Sequence, residues 1–273
     1  MNVPGRKGKT IFLVAAVSFL LCILVLGFLY TEAAMKTDFI HKNQPPSLQY
    51  PFGTDWMGRD MFARTMAGLS MSIRIGLLTA TVSAAVALLL GSLAVVMGKA
   101  ADILIGGLID LMMGIPHILL LILISFACGK GVRGVVIGIL CTHWMSLARV
   151  IRGEVLQLTQ SGYIQVAAKL GSSRGKIIRM HMLPHLVPQF ITGLVLLFPH
   201  AILHEASITF LGFGLSSEQP AIGVILSESI RHLLTGNWWL VVFPGLSLVV
   251  TVILFDYIGS VTRRALDPAS VHE

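Results

Sequence analysis

Charge is what this chain has least of. Of its 273 residues only 12% are Asp, Glu, Lys or Arg, about half the share of a soluble globular domain. Apolar residues make up 55%, and the mean hydropathy is +0.83. An excess of that size cannot be enclosed in one water-soluble core of this length, which excludes a soluble enzyme. The same composition excludes a disordered chain. Cysteine is nearly missing too. Cys22, Cys128 and Cys141 are odd in number, far apart and within or beside apolar runs, which rules out a disulfide framework and a zinc-ligand spacing. The net charge is +7, but the aromatic and basic interleaving that grips single strands is lacking. Nucleic acid is therefore not an expected partner, and the cations read as the cytoplasmic flank of a membrane protein.

What is present is a series of long apolar runs. A helical span takes ~20 residues to cross ~30 Å of hydrocarbon, so six spans use about 120 of roughly 150 apolar positions. The runs are too long and too unalternating for a barrel, and backbone in lipid must satisfy its own hydrogen bonds, so they are helices. Spans are expected at 11–30, 75–97, 103–127, 135–148, 187–211 and 238–259. The first is read as a retained span, because it is too long for a signal peptide and no clear cleavage site follows. The fold class is all-α: a polytopic membrane protein with about six transmembrane helices. Its parts are a cytoplasmic N-terminus (1–10), the first span (11–30), an extracytoplasmic segment (31–74), a transmembrane core (75–268) and a short tail (269–273). A short amphipathic helix is expected at 222–234.

Orientation follows from Lys and Arg. The bias is clearest at 149–185, where Arg149, Arg152, Lys169, Arg174, Lys176 and Arg179 face one acid, Glu154. This loop and both termini are placed in the cytoplasm. Within it, 163–170 has good helix formers and an apolar side, Gly171 breaks the helix, and 174–182 is helical again with Ile177, Ile178 and Met182 on one side. Leu183-Pro184 is expected to end that second helix, because the residue before proline is pushed from helical geometry. The product is a basic helix–turn–helix. It could lie on anionic lipid, or its apolar edge could be buried by a partner.

The spacing here resembles the signature loop of membrane subunits of bacterial ABC importers: Glu-Ala-Ala, three residues, Gly, nine residues, Ile, one residue, Leu-Pro. Ala167, Gly171, Leu183 and Pro184 fall at the required offsets, with Ala168 following. Gln165 stands at the Glu position, Val166 at the first Ala and His181 at the Ile. Four further stretches are similar to the permeases for dipeptides, oligopeptides and nickel. They are F-G-T-D-W-M-G-R-D-M-F-A-R at 52–64, Asp110 with Pro116 in the third span, E-A-S-I-T-F-L-G-F-G at 205–214, and Phe243-Pro244-Gly245 with Leu266-Asp267-Pro268.

The resemblance implies a permease subunit of an ATP-driven importer in the bacterial inner membrane. Peptides or nickel and metal chelates would cross by alternating access. The implied partners are a second homologous permease, two ATP-binding-cassette ATPases gripping the 165–184 hairpin of the 149–185 coupling loop, an extracytoplasmic solute-binding protein and the lipid bilayer. No cofactor is expected in this chain, since ATP and Mg would sit on the ATPases. Gly8-Lys9-Thr10 mimics the end of a P-loop, but Val3 occupies the first glycine position and no strand precedes it. A secondary transporter or channel is the rival reading. It would be expected to show internal repeats and broken helices, and no convincing repeat is visible. A membrane-embedded enzyme is disfavoured because no catalytic constellation can be assembled.

Other residues stand out singly. Asp55, Arg59 and Asp60 are expected to form a charge-paired turn, read as a structural clamp near the pore entrance in preference to a direct cargo contact. A helix at 60–72 would then lie on the interface, with Met61, Phe62 and Met66 facing lipid. His200 and His204 share a face of the fifth span after Pro199, with Glu205 beside them. They could line a pathway or ligate a transition metal, or serve interhelical hydrogen bonding beside the proline kink; no metal site is assigned. Asp110 and Asp256, toward the inner ends of spans three and six, read as structural or gating carboxylates needing a partner such as Arg149 or Arg263. His143-Trp144 reads as packing, and Gly134-x-x-x-Gly138 as a point of close helix approach.

Overall fold

The computed structural model describes residues 6–266. The Asp267-Pro268 part of the last motif and the tail 269–273 lie outside the described residues. Among those described there is no sheet beyond one bridge, Thr54 to Asp60. The helices are α1 (Arg6–Leu29), α2 (Met61–Val96), α3 (Lys99–Met113), α4 (His117–Ala127), α5 (Gly131–Thr142), α6 (Trp144–Gln160), α7 (Gly162–Lys169), α8 (Arg174–Ile177), α9 (Leu183–Phe210), α10 (Ile222–Ser229) and α11 (Trp239–Leu266). Five stretches are long and apolar enough to cross a membrane, or six when the pair α3 and α4, bent by 96° at its break, is taken as one span. The bend falls at Gly114–Ile115–Pro116, where proline removes a backbone donor and disfavours helix just before it.

α2 is the hub. Its small residues Ala80, Ala84, Ala87, Gly91 and Ala94 recur at steps of four and three and are all buried. Such a stripe lets backbones approach. A Cβ at Gly91 would meet the Ala148 carbonyl at 2.7 Å, and one at Gly76 would meet Ile202 at 2.8 Å, so α6 and α9 pack directly on it. α1 crosses on another side, where Gly27 lies against Ser70. α5 packs on α4 through Gly134 and Gly138, which face the Ser125 and Leu121 carbonyls.

The loops sort into two ends. At one, Gly131 N–H donates to the Gly214 carbonyl (3.1 Å) and the Asn237 amide to Asn43 (3.3 Å). At the other, Phe12 of α1 meets Tyr257 of α11 edge-on at 4.5 Å, and Arg152 of α6 bonds Asp102 of α3 through both oxygens (2.5 and 2.8 Å). The 161–174 elbow hangs from this second end.

Three expectations are corrected. The second span begins at Met61 rather than 75, and no separate interfacial helix precedes it. Met61 and Met66 are buried, not lipid-facing, because α1, α10 and the preceding loop cover this turn and the Arg64 guanidinium must reach an interior partner. The fourth span does not stop at 148. α6 runs on to Gln160, burying Ile151, Val155 and Leu158 at steps of four and three while Arg149, Gln157 and Gln160 stay exposed. Leu183-Pro184 does not end a helix either. The chain turns from α8 through a π-helical turn (Ile178–Met182) straight into α9. Leu183 N–H donates five residues back, to the Ile178 carbonyl, so the turn widens just where Pro184 has no N–H to give.

Candidate functional site

The elbow is built by local chemistry. α7 ends on Leu170, and Gly171 takes φ +83°, the left-handed region. Ser172 N–H then donates to the Ala167 carbonyl and Gly171 N–H to the Ala168 carbonyl, both at 3.1 Å. This pair of bonds closes a helix on glycine and satisfies carbonyls that would otherwise be orphaned. Ser173 restarts the chain, its hydroxyl accepting from Lys176 N–H at 3.4 Å. Ile164, Ile177 and Met182 turn inward and are buried, with Ala167 and Ile178 half-buried beside them. Tyr163, Val166 and Leu170 are left 51%, 56% and 80% exposed, an apolar rim on a basic elbow. Gln165 is exposed, its amide donating to the Gln160 carbonyl (3.1 Å). Ala168, Leu183 and Pro184 are exposed as well.

At the opposite end Asp55 is fully buried and accepts four hydrogen bonds. Met57 and Arg59 N–H reach Oδ1 (2.8 and 2.9 Å), while Arg59 Nε and Arg64 Nη1 reach Oδ2 (2.6 and 2.8 Å). Glu228 of α10 takes the other nitrogens of the same two arginines (3.3 and 3.0 Å). Two cations and two anions thus balance in a buried knot. Gly58 permits the turn at φ +73°, where a Cβ would strike the Asp38 carbonyl. Asp60 does not join the knot. It caps α2, accepting from Phe62 N–H at 2.8 Å, and burial pushes its carboxyl above the usual range. Arg64 and Glu228 went unnoticed in the sequence as members of this group.

Between the two ends lie two cavities along α6 and α9. One, of about 760 Å³, opens near the elbow and is lined by Glu154, Pro184, His185 and His200 among others. The second, of about 620 Å³, is lined by Met112, Met113, Pro116, His117, His143, Met145, His200 and His204. His200 lines both. Glu205 lines neither: one residue on from His204 it points elsewhere, fully buried, with Thr209 Oγ1 donating to its Oε1 at 3.1 Å. Pro116 ends the bend that brings His117 of α4 to the cavity. His143 sits at the junction of α5 and α6. The rings of His117, His143 and His204 approach with centroids 5.1, 4.4 and 5.0 Å apart. Asp110 pairs with Arg149 at 2.5 Å, both largely exposed, and Asp256 is exposed on α11.

A bundle of six spans around a wall of paired cavities, with a self-capped elbow at one end, is the architecture of a membrane permease. Its fold is similar to that of the inward-facing MetNI methionine ABC transporter, with a TM-score of 0.62 at 18% identity, over 76% of this chain and 98% of that one. The chain belongs to the family described as "Binding-protein-dependent transport system inner membrane component", whose model matches residues 83–270. It is 31% identical to the dipeptide transport system permease protein DppC of Bacillus subtilis, over 92% of this chain and 78% of the relative. It is also 31% identical to OppC, the oligopeptide transport system permease protein of the same organism (85% and 76%). The probable D,D-dipeptide transport system permease protein DdpC of Escherichia coli is again 31% identical (96% and 89%). The chain is therefore a membrane permease subunit of a bacterial ABC importer, multi-pass in the inner membrane. As such it has no ATPase activity of its own, and the secondary-transporter reading is set aside.

Proposed function

We propose that this subunit pairs with a second, homologous permease to enclose a path for short peptides. Two ATPase subunits dock on the 161–174 elbow, and a solute-binding protein delivers cargo at the Asp55 end. The elbow end and both termini are cytoplasmic. The observation that carries this reading is the exposed rim of Tyr163, Val166 and Leu170 on a basic, glycine-capped elbow. Apolar surface held rigidly in water at the foot of a bundle calls for a protein partner, and a stiff elbow transmits displacement. Gln165, Ala167, Ala168, Gly171, Leu183 and Pro184 shape it. The Asp55, Arg59 and Asp60 turn serves as a clamp at the outer mouth. His200 and His204 serve as cavity wall, Asp110 and Pro116 hold the bent helix, and Asp256 contributes to gating from α11. The peptide cargo rests on the relatives named above. A metal chelate, the other cargo the sequence leaves open, draws support from the histidine-rich cavity.

The test is reconstitution of the four kinds of subunit in proteoliposomes. Gly171→Val cannot hold the left-handed turn, and it is expected to cut peptide uptake and peptide-stimulated ATP hydrolysis at least ten-fold with membrane insertion unchanged. Uptake at the wild-type rate by that variant, or uptake without ATPases, refutes the coupling role. Replacing peptide by chelated nickel in the same assay decides the cargo.

A further inference from the structure

His117, His143 and His204 come from three separate elements, α4, the α5–α6 junction and α9. One nitrogen from each lies within 4.8 Å of the others. His117 Nδ1 and His143 Nε2 are buried without a hydrogen-bond partner among the described residues. Unpaired polar atoms at membrane depth are costly, so this grouping calls for something that satisfies them together. Imidazoles are poor partners for each other when every ring offers a lone pair, and good partners for a cation that accepts several.

We propose that these three histidines form a site for a divalent transition-metal ion of borderline softness, such as zinc, nickel or cobalt, with a fourth position open to the cavity. Three points fix the ligand class. Imidazole nitrogen suits these ions, whereas Mg and Ca require oxygen, and no carboxylate lines the cavity. Thioethers from Met112, Met113 and Met145 line the same space, a soft surrounding that no hard ion prefers. The third point is orientation. Thr142 Oγ1 lies 3.3 Å from His143 Nδ1, which leaves Nε2 for the ion, as an outer-shell partner commonly does. Nitrogens around a tetrahedral ion stand roughly 3.3 Å apart at a metal–nitrogen distance of ~2.0–2.1 Å. Closing from within 4.8 Å needs only small ring rotations. Three neutral imidazoles leave the ion's charge unbalanced, so the fourth position favours an oxygen anion entering from the cavity. The site stands on this chain's own residues, whatever the cargo.

The experiment is a cobalt(II) titration of the full-length protein in lipid nanodiscs, metal-stripped and without a polyhistidine tag. One cobalt per chain is expected, with the visible bands of four-coordinate cobalt. His143→Gln and His204→Gln are each expected to weaken binding at least ten-fold, while His232→Gln, remote from the cavity, leaves it unchanged. His204→Cys keeps a ligand and is expected to add a near-ultraviolet thiolate-to-cobalt band over the wild-type spectrum. That signature demands a folded site and holds even where a glutamine variant does not insert. Wild-type protein binding no stoichiometric cobalt overturns the proposal. So does undiminished affinity in His143→Gln, or cobalt bound by His204→Cys without the sulfur band.

Discussion

Asp55 holds two backbone amides and two guanidinium groups with four hydrogen bonds, in a place no water reaches. A buried ion pair adds little over a well-packed apolar group, but breaking one side leaves the other charge stranded, at a cost of about 3–5 kcal/mol. Asp55→Asn keeps the shape and removes the charge that balances Arg59 and Arg64. We expect that much loss of stability, seen as a lower midpoint in thermal unfolding of the detergent-solubilised protein; a midpoint equal to wild type would refute the charge account. Half of this knot was legible beforehand. Asp55 and Arg59 are four residues apart in a glycine-bounded turn, so local spacing pairs them. Arg64 and Glu228 are separated by 164 residues, and no local pattern joins them. The same limit hid His117 and His143. Each is a lone imidazole in an apolar run, where packing is the reasonable expectation, and only the bend at Pro116 and the α5–α6 junction bring them to His204. Glu205 shows the converse, since adjacency in sequence to His204 suggested a shared site and the ~100° step between helix neighbours sends it to Thr209.

Helices were legible where hydropathy alone defines them and misjudged where charge interrupts. α1 and α11 lie close to their expected runs. α2 begins fourteen residues earlier than the apolar window implied (61 against 75), because Arg64 and Arg74 lower hydropathy in a segment the fold buries or pairs. The signal that could have set its start is Asp60, an N-cap type followed by apolar residues. α6 was hidden by Arg149 and Arg152, which pair with Asp110 and Asp102 of α3 while Ile151, Val155 and Leu158 are buried, Ile151 against Gly91 of α2. Pro184 misled for a physical reason: a proline stops a regular helix, but a widened turn before it absorbs the missing donor. Pro184→Ala restores an N–H able to bond the Met180 carbonyl and removes the cause of the widening. We expect insertion and thermal stability to be kept, while transport per ATP hydrolysed in the reconstituted importer falls several-fold, because α8 is turned about the axis of α9. Unchanged coupling would show that the π turn is held by packing rather than by proline.

At the scale of the whole molecule the six crossings sort loops to alternate ends, and Lys and Arg weight the elbow end. Single cysteines in a background with Cys22, Cys128 and Cys141 replaced by alanine test the orientation. Leu48→Cys, on a fully exposed loop residue, is expected to react with a membrane-impermeant maleimide in intact spheroplasts. Lys169→Cys, exposed at the end of α7, is expected to react only in inverted vesicles. The opposite pattern would reverse the chain in the membrane. The count of spans was legible from composition, since only long apolar runs can cross lipid. The arrangement of cavities along α6 and α9 was not, because it depends on glycines such as Gly193, whose absent side chain admits Leu147, and on a bend that no window average detects.

The hydrogen bonds that turn the chain at Gly171 are all made within ten residues, from Ala167 to Lys176. None is borrowed from a transmembrane helix. The outline of this piece is thus fixed before the bundle tilts in either direction, and it can travel as a handle whose profile is the same at both extremes of the stroke. A partner that fits it once need not let go and fit it again.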